Sequence, residues 1–447
     1  LLLEPLALWQ ASFQLSFAGV AGILCWRRYW LLPNVKLPGV LKKVLQIMLV
    51  TLAANLATMP LVLLNFHLLS LAGLVNNLFA IPLIGLLAVP AGLAGLLLTS
   101  WSEFLAGAGF VLCGKVLDLT LKLAELVTEI PGLDGAHLFL SPLQLSVVTG
   151  CALTLLLPWK RIVVPCLLLL FLGSLAYADP MVRSADLTLT AFSVGQGESM
   201  LLSLKGGRHI LVDGGGLHSD SFDVGERLLA PALGSLGIKQ LEAVLLTHDH
   251  PDHRKGLIYV LDHFPVKQFW CSVDVKGLNQ DLLEVLQRHN IPVRRFSRGW
   301  TEVATTEPDM DLFCFVPELE SVSPNDRSVV LYARNGQDGL LLTGDLERAG
   351  TENLLDAGIP GPVALLKLPH HGSRNSDSQK LLRTLKPQIA LVSAGYKNHY
   401  RFPAEEVVEE VLGQKAELYR TDLHRTVRFV SNGRGWQVKR WGNGLFR

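Results

Sequence analysis

Long apolar stretches near 8–25, 40–64, 68–100, 143–157 and 162–178 crowd the first 180 residues, and a soluble core cannot absorb them all. A membrane span needs about 20 mostly apolar residues. This part of the chain therefore reads as a polytopic α-helical membrane domain, with the last two stretches short. The stretch 68–100 exceeds one ordinary crossing and holds Asn76, Asn77, Pro82 and Pro90. It fits a broken or re-entrant helix, whose irregular backbone must be buried in protein or line water, or equally a kinked helix with asparagines bonded between helices. Between Glu103 and Glu129, Lys115, Asp118, Lys122, Glu125 and Glu129 recur at helical spacing on one face. Opposite them lie Val111, Leu112, Val116, Leu119, Leu123, Leu126 and Val127. Such a helix lies at the interface or turns its charges toward an aqueous path.

Orientation follows from the basic pairs Arg27-Arg28, Lys42-Lys43 and Lys160-Arg161, which the positive-inside rule assigns to the cytoplasm. Pro131 to Pro142 holds no lysine or arginine, as an outer loop should. The final span then leads outward, and everything after about Asp179 is expected on the extracytoplasmic side. The 447 residues carry a formal net charge of only +1, which gives no global argument for a nucleic-acid partner. Six cysteines fit no zinc spacing; a Cys271–Cys314 disulfide is compatible with the sequence, but small buried thiols are the simpler reading. The chain opens Leu1-Leu2-Leu3-Glu4-Pro5 without a methionine or the basic flank of a signal peptide, and reads as a piece of a longer protein.

From Ala185 the period shifts to alternation. Leu187 to Phe192 reads as a strand, and Met200 to Leu204 pairs with His209 to Val212 across Gly206-Gly207 in a hairpin. That hairpin ends in Asp213-Gly214-Gly215-Gly216, where an aspartate orients a neighbouring loop or simply shapes a turn. Val224 to Leu236 and Leu257 to Phe264 look helical, and Leu241 to Thr247 is an apolar strand. That strand releases the chain into His248-Asp249-His250-Pro251-Asp252-His253, read as a loop of three imidazoles and two carboxylates. Neutral imidazole and carboxylate suit zinc, manganese or iron, and no cysteine lies there to impose a closed thiolate cage. Two further strands end in Gly344-Asp345 and in Pro369-His370-His371-Gly372-Ser373. Sites in layered α/β folds gather beyond strand ends, so three such ends predict one shared metal site.

These motifs resemble, in chain order, those of a known family. Glu4-Pro5-Leu6-Ala7-Leu8 and Ser12-Phe13-Gln14-Leu15-Ser16-Phe17 resemble the opening of the membrane region of the bacterial DNA-internalisation competence protein family, ComEC. Val194-Gly195-Gln196-Gly197, Val212-Asp213-Gly214-Gly215, His248 to His253, Leu342-Thr343-Gly344-Asp345 and His370-His371-Gly372-Ser373 resemble its metallo-β-lactamase-like domain. The resemblance covers essentially the whole chain. It implies a channel for single-stranded DNA in residues 1–180 and, in 184–447, an αββα metallo-β-lactamase fold acting as a nuclease on the non-transported strand. The domain would hold two divalent metal ions, manganese or zinc. By the resemblance, His248 and His250 bind one metal, Asp252 and His253 the other, Asp345 bridges them and His370 or His371 completes the second site. Asp252, Asp345 and Asp213 would serve the chemistry. The implied partners are DNA, the membrane, DNA-uptake machinery and further copies of the chain in a homo-oligomer, with the chain in the bacterial inner membrane.

The sequence departs from the superfamily pattern before Asp345, where only His263 and His289 occur and neither follows a strand. Asn325 or Asp326 in Pro324-Asn325-Asp326-Arg327-Ser328 could supply the missing ligand, or that turn could contact substrate. Arg254-Lys255-Gly256 stands where a small apolar residue and glycines are usual, and the spacing of histidine before proline in His399-Tyr400-Arg401-Phe402-Pro403 is altered. The basic-aromatic run Arg294-Arg295-Phe296-Ser297-Arg298-Gly299-Trp300 is a candidate DNA contact or a solvated strand edge. Arg327 and Ser373 are further candidate contacts. Two other functions stay open: a channel whose lactamase-like domain only binds or gates DNA, and a membrane-anchored phosphodiesterase acting on envelope substrates.

Overall fold

The computed structural model describes residues 8, 10–27, 36–130, 142–156, 187–216, 222–273, 277–304, 310–319 and 323–440, with scattered positions between 133 and 171. It divides into two compact units, Leu1–Tyr177 and Ala178–Arg447.

The first unit is helical: α1 (Ala11–Cys25), α2 (Gly39–Phe66), α3 (Ala72–Leu98), α4 (Glu103–Thr128) and α5 (Pro142–Leu156). Of these, α2, α3 and α4 are long and apolar enough to cross a membrane. Most of the stretch 162–178, the pair Lys160-Arg161 and much of Pro131 to Pro142 lie outside the described residues. Lys42 and Lys43 fall in the first turn of α2 rather than in a loop. Of the two readings of 68–100, α3 takes the continuous one. It passes both Pro82 and Pro90 without a break, with a π-type turn at Ile84–Ala88 between them, one of the recognised ways a helix accommodates proline. Asn77 Nδ2 reaches Thr51 Oγ1 of α2 at 3.5 Å. Small residues let the helices close up: a Cβ on Gly109 of α4 would stand 2.9 Å from both Ala91 O and Gly95 Cα of α3. The charges Lys115, Asp118, Lys122 and Glu125 of α4 are exposed, whereas Val116, Thr120 and Val127 are buried.

The second unit is built on two sheets. The first runs β1 (Leu187–Ala191), β2 (Met200–Leu204), β3 (Arg208–Val212), β4 (Ala243–Leu245), β5 (Phe269–Cys271) and β6 (Val293–Arg295). The second holds β7 (Gly299–Glu302), β8 (Met310–Val316), β9 (Val330–Asn335), β10 (Asp338–Leu342), β11 (Leu365–Lys367), β12 (Ile389–Val392) and β13 (Glu417–Arg420). The chain then returns to the first sheet with β14 (Val427–Ser431) and β15 (Trp436–Arg440), giving the orders β15-β14-β1-β2-β3-β4-β5-β6 and β13-β12-β11-β10-β9-β8-β7. In each sheet an antiparallel meander passes into parallel strands, β3 to β6 in one and β10 to β13 in the other. Parallel strands require crossovers, and these supply the helices α6 (Pro251–His263), α7 (Gln280–Arg288), α8 (Arg348–Ala357), α9 (Ser378–Leu385) and α10 (Glu405–Gly413).

Alternation sorts the side chains. Leu187, Leu189, Met200, Leu202, Ile210 and Val212 meet Leu331, Ala333, Leu340 and Leu342 between the sheets. On the outer face of the second sheet, Val330, Tyr332, Leu341 and Leu366 meet Leu354, Leu381, Leu382, Val407 and Val411. The result is the expected two-sheet α/β sandwich. Cys271 and Cys314 are buried free thiols.

His209 on β3 is buried with Nδ1 2.9 Å from Ser203 Oγ. Burial pulls its pKa down to about 4, so the folded protein keeps it neutral where an unfolded chain, at about 6.5, takes up a proton. Its contribution is present above about pH 6.5 and is lost as pH falls toward 4, a difference on the order of 3 kcal/mol. A His209→Gln variant should lose less thermal stability between neutral pH and pH 4 than the parent, as followed by unfolding melts.

Candidate metal centre

The carboxyl ends of parallel strands from both sheets deliver the cluster. Beyond β3 comes Asp213, beyond β4 Thr247 and His248, beyond β10 Asp345, beyond β11 His371 and beyond β12 Ser393. The six-residue motif is not wholly a loop. Pro251, with its fixed φ and no amide to lose, opens α6, and extended His250 caps it. Asp252 and His253 consequently project from the first helical turn. Asp249 turns away, pairing with Arg254 and accepting the Asn279 amide at 2.9 Å. The helix fits only because backbone meets backbone: a Cβ on Gly256 would lie 2.0 Å from Gly214 O. Gly256 in Arg254-Lys255-Gly256 thus has a packing role.

Asp213, wholly buried with φ 56°, is the hub behind the cluster. Its Oδ1 accepts the Thr247 amide at 2.8 Å, and its Oδ2 accepts the Thr247 hydroxyl at 2.6 Å. Oδ2 also lies 2.7 Å from His253 Nδ1. A proton on Nδ1 serves that contact and leaves His253 Nε2 facing the cluster. The same logic holds for His371, whose Nδ1 lies 2.8 Å from Ser393 O. Both Nε2 atoms stand 3.2 Å from Asp345 Oδ2, yet neither finds a partner of hydrogen-bonding geometry although both are buried. Asp252 Oδ2 is 3.8 Å from His371 Nε2. His248 is buried, with Nδ1 near the hydroxyls of Thr247 (3.1 Å) and Ser328 (3.3 Å) and Nε2 3.1 Å from His250 Nδ1.

Two sets, His248 with His253 and Asp345, and Asp252 with His253 and His371, each bring three ligand atoms within 4.8 Å of one another. Glu198 with Asp345 and His371 makes a third. Orphaned buried imidazole nitrogens facing carboxylates are the donor set that a divalent cation fits. The electrostatics agree. Burial alone would raise the pKa of Asp345, but His371, His253 and Lys367 hold it well below the carboxylate range. Burial would depress His371, yet Asp345 and Asp252 push it up to about 9. The pocket is tuned to hold positive charge.

Sequence reasoning passed over the group beneath this cluster. Lys367, the last residue of β11, is fully buried, donates to Gly344 O at 2.7 Å, pairs with Glu198 and stands 3.5 Å from Asp345 Oδ1. Its signal was a single cation inside the apolar strand Leu365-Leu366-Lys367-Leu368. Burial pushes the pKa of Glu198 up, and Lys367 works against it.

A cavity of about 1030 Å³ opens over the centre and is lined by His250, Asp252, Asp345, His370 and His371. Asn325 and Ser373 line it too. Asn325 Nδ2 donates to Glu347 Oε1 at 2.9 Å, while its buried Oδ1 has no hydrogen-bond partner. Asp326 is occupied elsewhere, with Oδ1 accepting the amides of Glu347 and Gly350 at the start of α8. Successive left-handed residues, φ 46° and 56°, split His370 from His371. His371 enters the cluster, and His370 Nδ1 lies 3.7 Å from Glu347. His263 and His289 bind Tyr259 O and Asp262 instead, and neither lines the cavity. Arg327, Arg294, Arg295 and Arg298 are likewise outside its lining. Arg294 sits over the rings of Phe296 (4.9 Å) and Trp270 (5.7 Å), and Trp300 Nε1 donates to Gly358 O at 2.7 Å.

Residues 1–163 match the family model described as competence protein, and residues 193–396 match that of the metallo-β-lactamase superfamily. ComE operon protein 3 of Bacillus subtilis (strain 168) is 28% identical over 96% of this chain and 56% of its own length. Both halves are thus joined in the same order in a relative. The chain belongs to the competence protein family. Competence protein ComA of Neisseria gonorrhoeae is 30% identical over 66% of this competence-family chain and 40% of its own length. Recombination protein 2 of Haemophilus influenzae is 25% identical over 95% and 56%. The chain spans about half the length of these relatives.

Removing the buried lysine tests the charge arrangement. Lys367→Met should lower stability by about 3–5 kcal/mol by stranding Glu198, and adding Glu198→Gln should restore part of that loss; thermal melts of the two variants decide it.

Proposed function

We propose that the second unit is a metal-dependent nuclease joined to a DNA-import channel, degrading the strand that is not transported. Residues 1–180 are the channel and 184–447 the hydrolase in this reading. The carrying observation is the pair of unpartnered Nε2 atoms of His253 and His371 converging on Asp345 Oδ2 beneath an open cavity. His248 and His250 would hold one ion and Asp252, His253 and His371 the other, with Asp345 between them. Asn325 Oδ1 offers the neutral oxygen that takes the place of a further histidine. Two divalent ions, manganese or zinc, would supply a nucleophile of lowered pKa and screen the phosphodiester charge. Oxygen-rich, thiolate-free ligation suits either metal.

The chain's own residues prepare that chemistry. Asp213 and Ser393 fix the two imidazoles, each through its Nδ1, and ordered orientation lowers the cost of ligation. Burial would raise the Asp252 pKa, but His371 and His253 hold it far below the carboxylate range. It stays ionised at any working pH and can orient a water at the cavity wall. Membership in the competence family favours DNA as substrate over other substrates of the fold, because fold alone does not choose. DNA-uptake proteins and further copies of the chain are its proposed partners.

With manganese or zinc, the full chain should cleave labelled DNA, and Asp252→Ala should lose at least about 100-fold in rate together with bound metal measured by elemental analysis. Absence of metal-dependent cleavage would leave a domain that only binds or gates DNA; cleavage of envelope phosphodiesters in preference to DNA would favour the anchored phosphodiesterase.

The basic pairs support a bacterial inner-membrane protein with the hydrolase on the extracytoplasmic side. A cysteine replacing exposed Glu409, in a background without the native thiols, should react with an impermeant maleimide on intact cells from outside. Protection until lysis would reverse the orientation.

A further inference from the structure

The loop from Ser393 to Ala404 joins β12 to α10 and forms one wall of the metal cavity through Tyr400, Arg401 and Phe402. Its aromatic side chains form a ladder. The Tyr400 and Phe402 rings stack at 5.4 Å with 14° between planes, and Phe402 stacks on His371 at 6.1 Å and 29°. The outer rung is open, for Tyr400 is 58% exposed. The inner rung is an imidazole of the cluster itself.

This wall is held in shape before any ligand arrives. Asn398 Nδ2 donates to Gly395 O (3.0 Å) and Phe402 O (2.8 Å), and its Oδ1 accepts the Phe402 amide at 2.9 Å. Gln196 Oε1 accepts the Gly395 amide at 3.3 Å. A loop tied this way loses little freedom on binding. Its charge is one-sided as well: Lys397 and Arg401 are its formal charges, and no acid occurs from Ser393 to Ala404. Two neighbouring arginines at the cavity are neutralised, Arg374 by Glu406 at 2.7 Å and Arg420 by Asp422 at 2.7 Å. Among the described residues Arg401 has no such partner, and it is exposed.

An exposed ring backed by a second ring and flanked by an uncommitted guanidinium is the pairing that unpaired nucleotides use: the base stacks and the phosphate meets the cation. A duplex keeps its base faces stacked inside and cannot use such a ring. We propose that Tyr400, backed by Phe402 and flanked by Arg401, is a stacking platform for a base of single-stranded nucleic acid at the rim of the metal centre. The platform makes the centre select unpaired strand. The inference rests on the nuclease reading for its substrate, yet its test needs no turnover. A glycan can also lie on a tyrosine ring, but the net positive loop favours a polyanion.

The test uses the full chain in detergent with chelator, so that no cleavage occurs. A short oligodeoxynucleotide carrying 5-bromouracil should photocross-link to the peptide spanning Tyr396 to Phe402. Tyr400→Ala should abolish that cross-link and weaken single-strand binding about 5- to 100-fold in fluorescence anisotropy, with binding of a blunt-ended duplex changed less than about 2-fold and the thermal melt unmoved. Tyr400→Trp should restore both signals. Arg401→Gln should reduce the salt dependence of binding by about one phosphate contact. An absent cross-link, equal losses for single strand and duplex, or a Tyr400→Ala defect confined to glycan strands would each overturn the platform. Cleavage that fails while this binding pattern holds would sink the nuclease reading alone.

Discussion

The second unit depends on how Asp345 is compensated. A carboxylate this deeply buried is costly unless charge and hydrogen bonds surround it. Asp345 meets His253 and His371 through one oxygen and Lys367 through the other, while the Ser328 hydroxyl accepts its amide at 3.1 Å. The compensating groups come from α6, from the turn after β11, from the end of β11 and from the segment leading into β9. One charge therefore ties both sheets together at their carboxyl edge. Glu198, brought in from the turn between β1 and β2, balances Lys367 and extends the network to the opposite side. Stability and the proposed metal affinity draw on the same atoms.

Much of this arrangement was legible in the sequence, and the reasons are local. Apolar runs ending in Asp213, His248, Asp345 and His371 announced strands that deliver polar residues at one edge. The hairpin from Met200 to Val212 was marked by alternation and paired glycines. Pro251 was the misleading residue, because proline after a strand reads as a turn when its fixed φ equally suits the first position of a helix. The choice between His370 and His371 needed the structure, since two adjacent left-handed residues cannot be foreseen from side-chain chemistry. Lys367 and Glu198 were invisible as a pair because 169 positions separate them. In the basic and aromatic run from Arg294 to Trp300, packing engages Arg294 and Trp300, while Arg295 and Arg298 stay exposed.

In the first unit the sequence signal was hydropathy, which fixes length better than shape. It located α2 and α3, whereas α4 was marked by the spacing of its charges, and it left open whether the prolines would break α3. A single π-type turn suffices to carry the helix onward, and Asn77 finds its partner on α2 rather than in a broken backbone. Close contacts at Gly109 and Gly95 do what large apolar side chains do in a soluble core: they bring many atoms together. The means is small size, because lipid already offers every leucine an apolar surround.

The turn Pro369-His370-His371-Gly372 gives two identical side chains different fates. Each left-handed step is unfavourable for a residue bearing a Cβ, by roughly 1–2 kcal/mol, and the surrounding contacts keep both in place. A neighbouring pair of histidines looks like a spare and its copy. Backbone geometry removes that redundancy, since one imidazole is committed inward and its twin to the rim beside Glu347. Loss of the inner one cannot be covered by the outer without refolding the turn, so the doublet offers no mutational robustness.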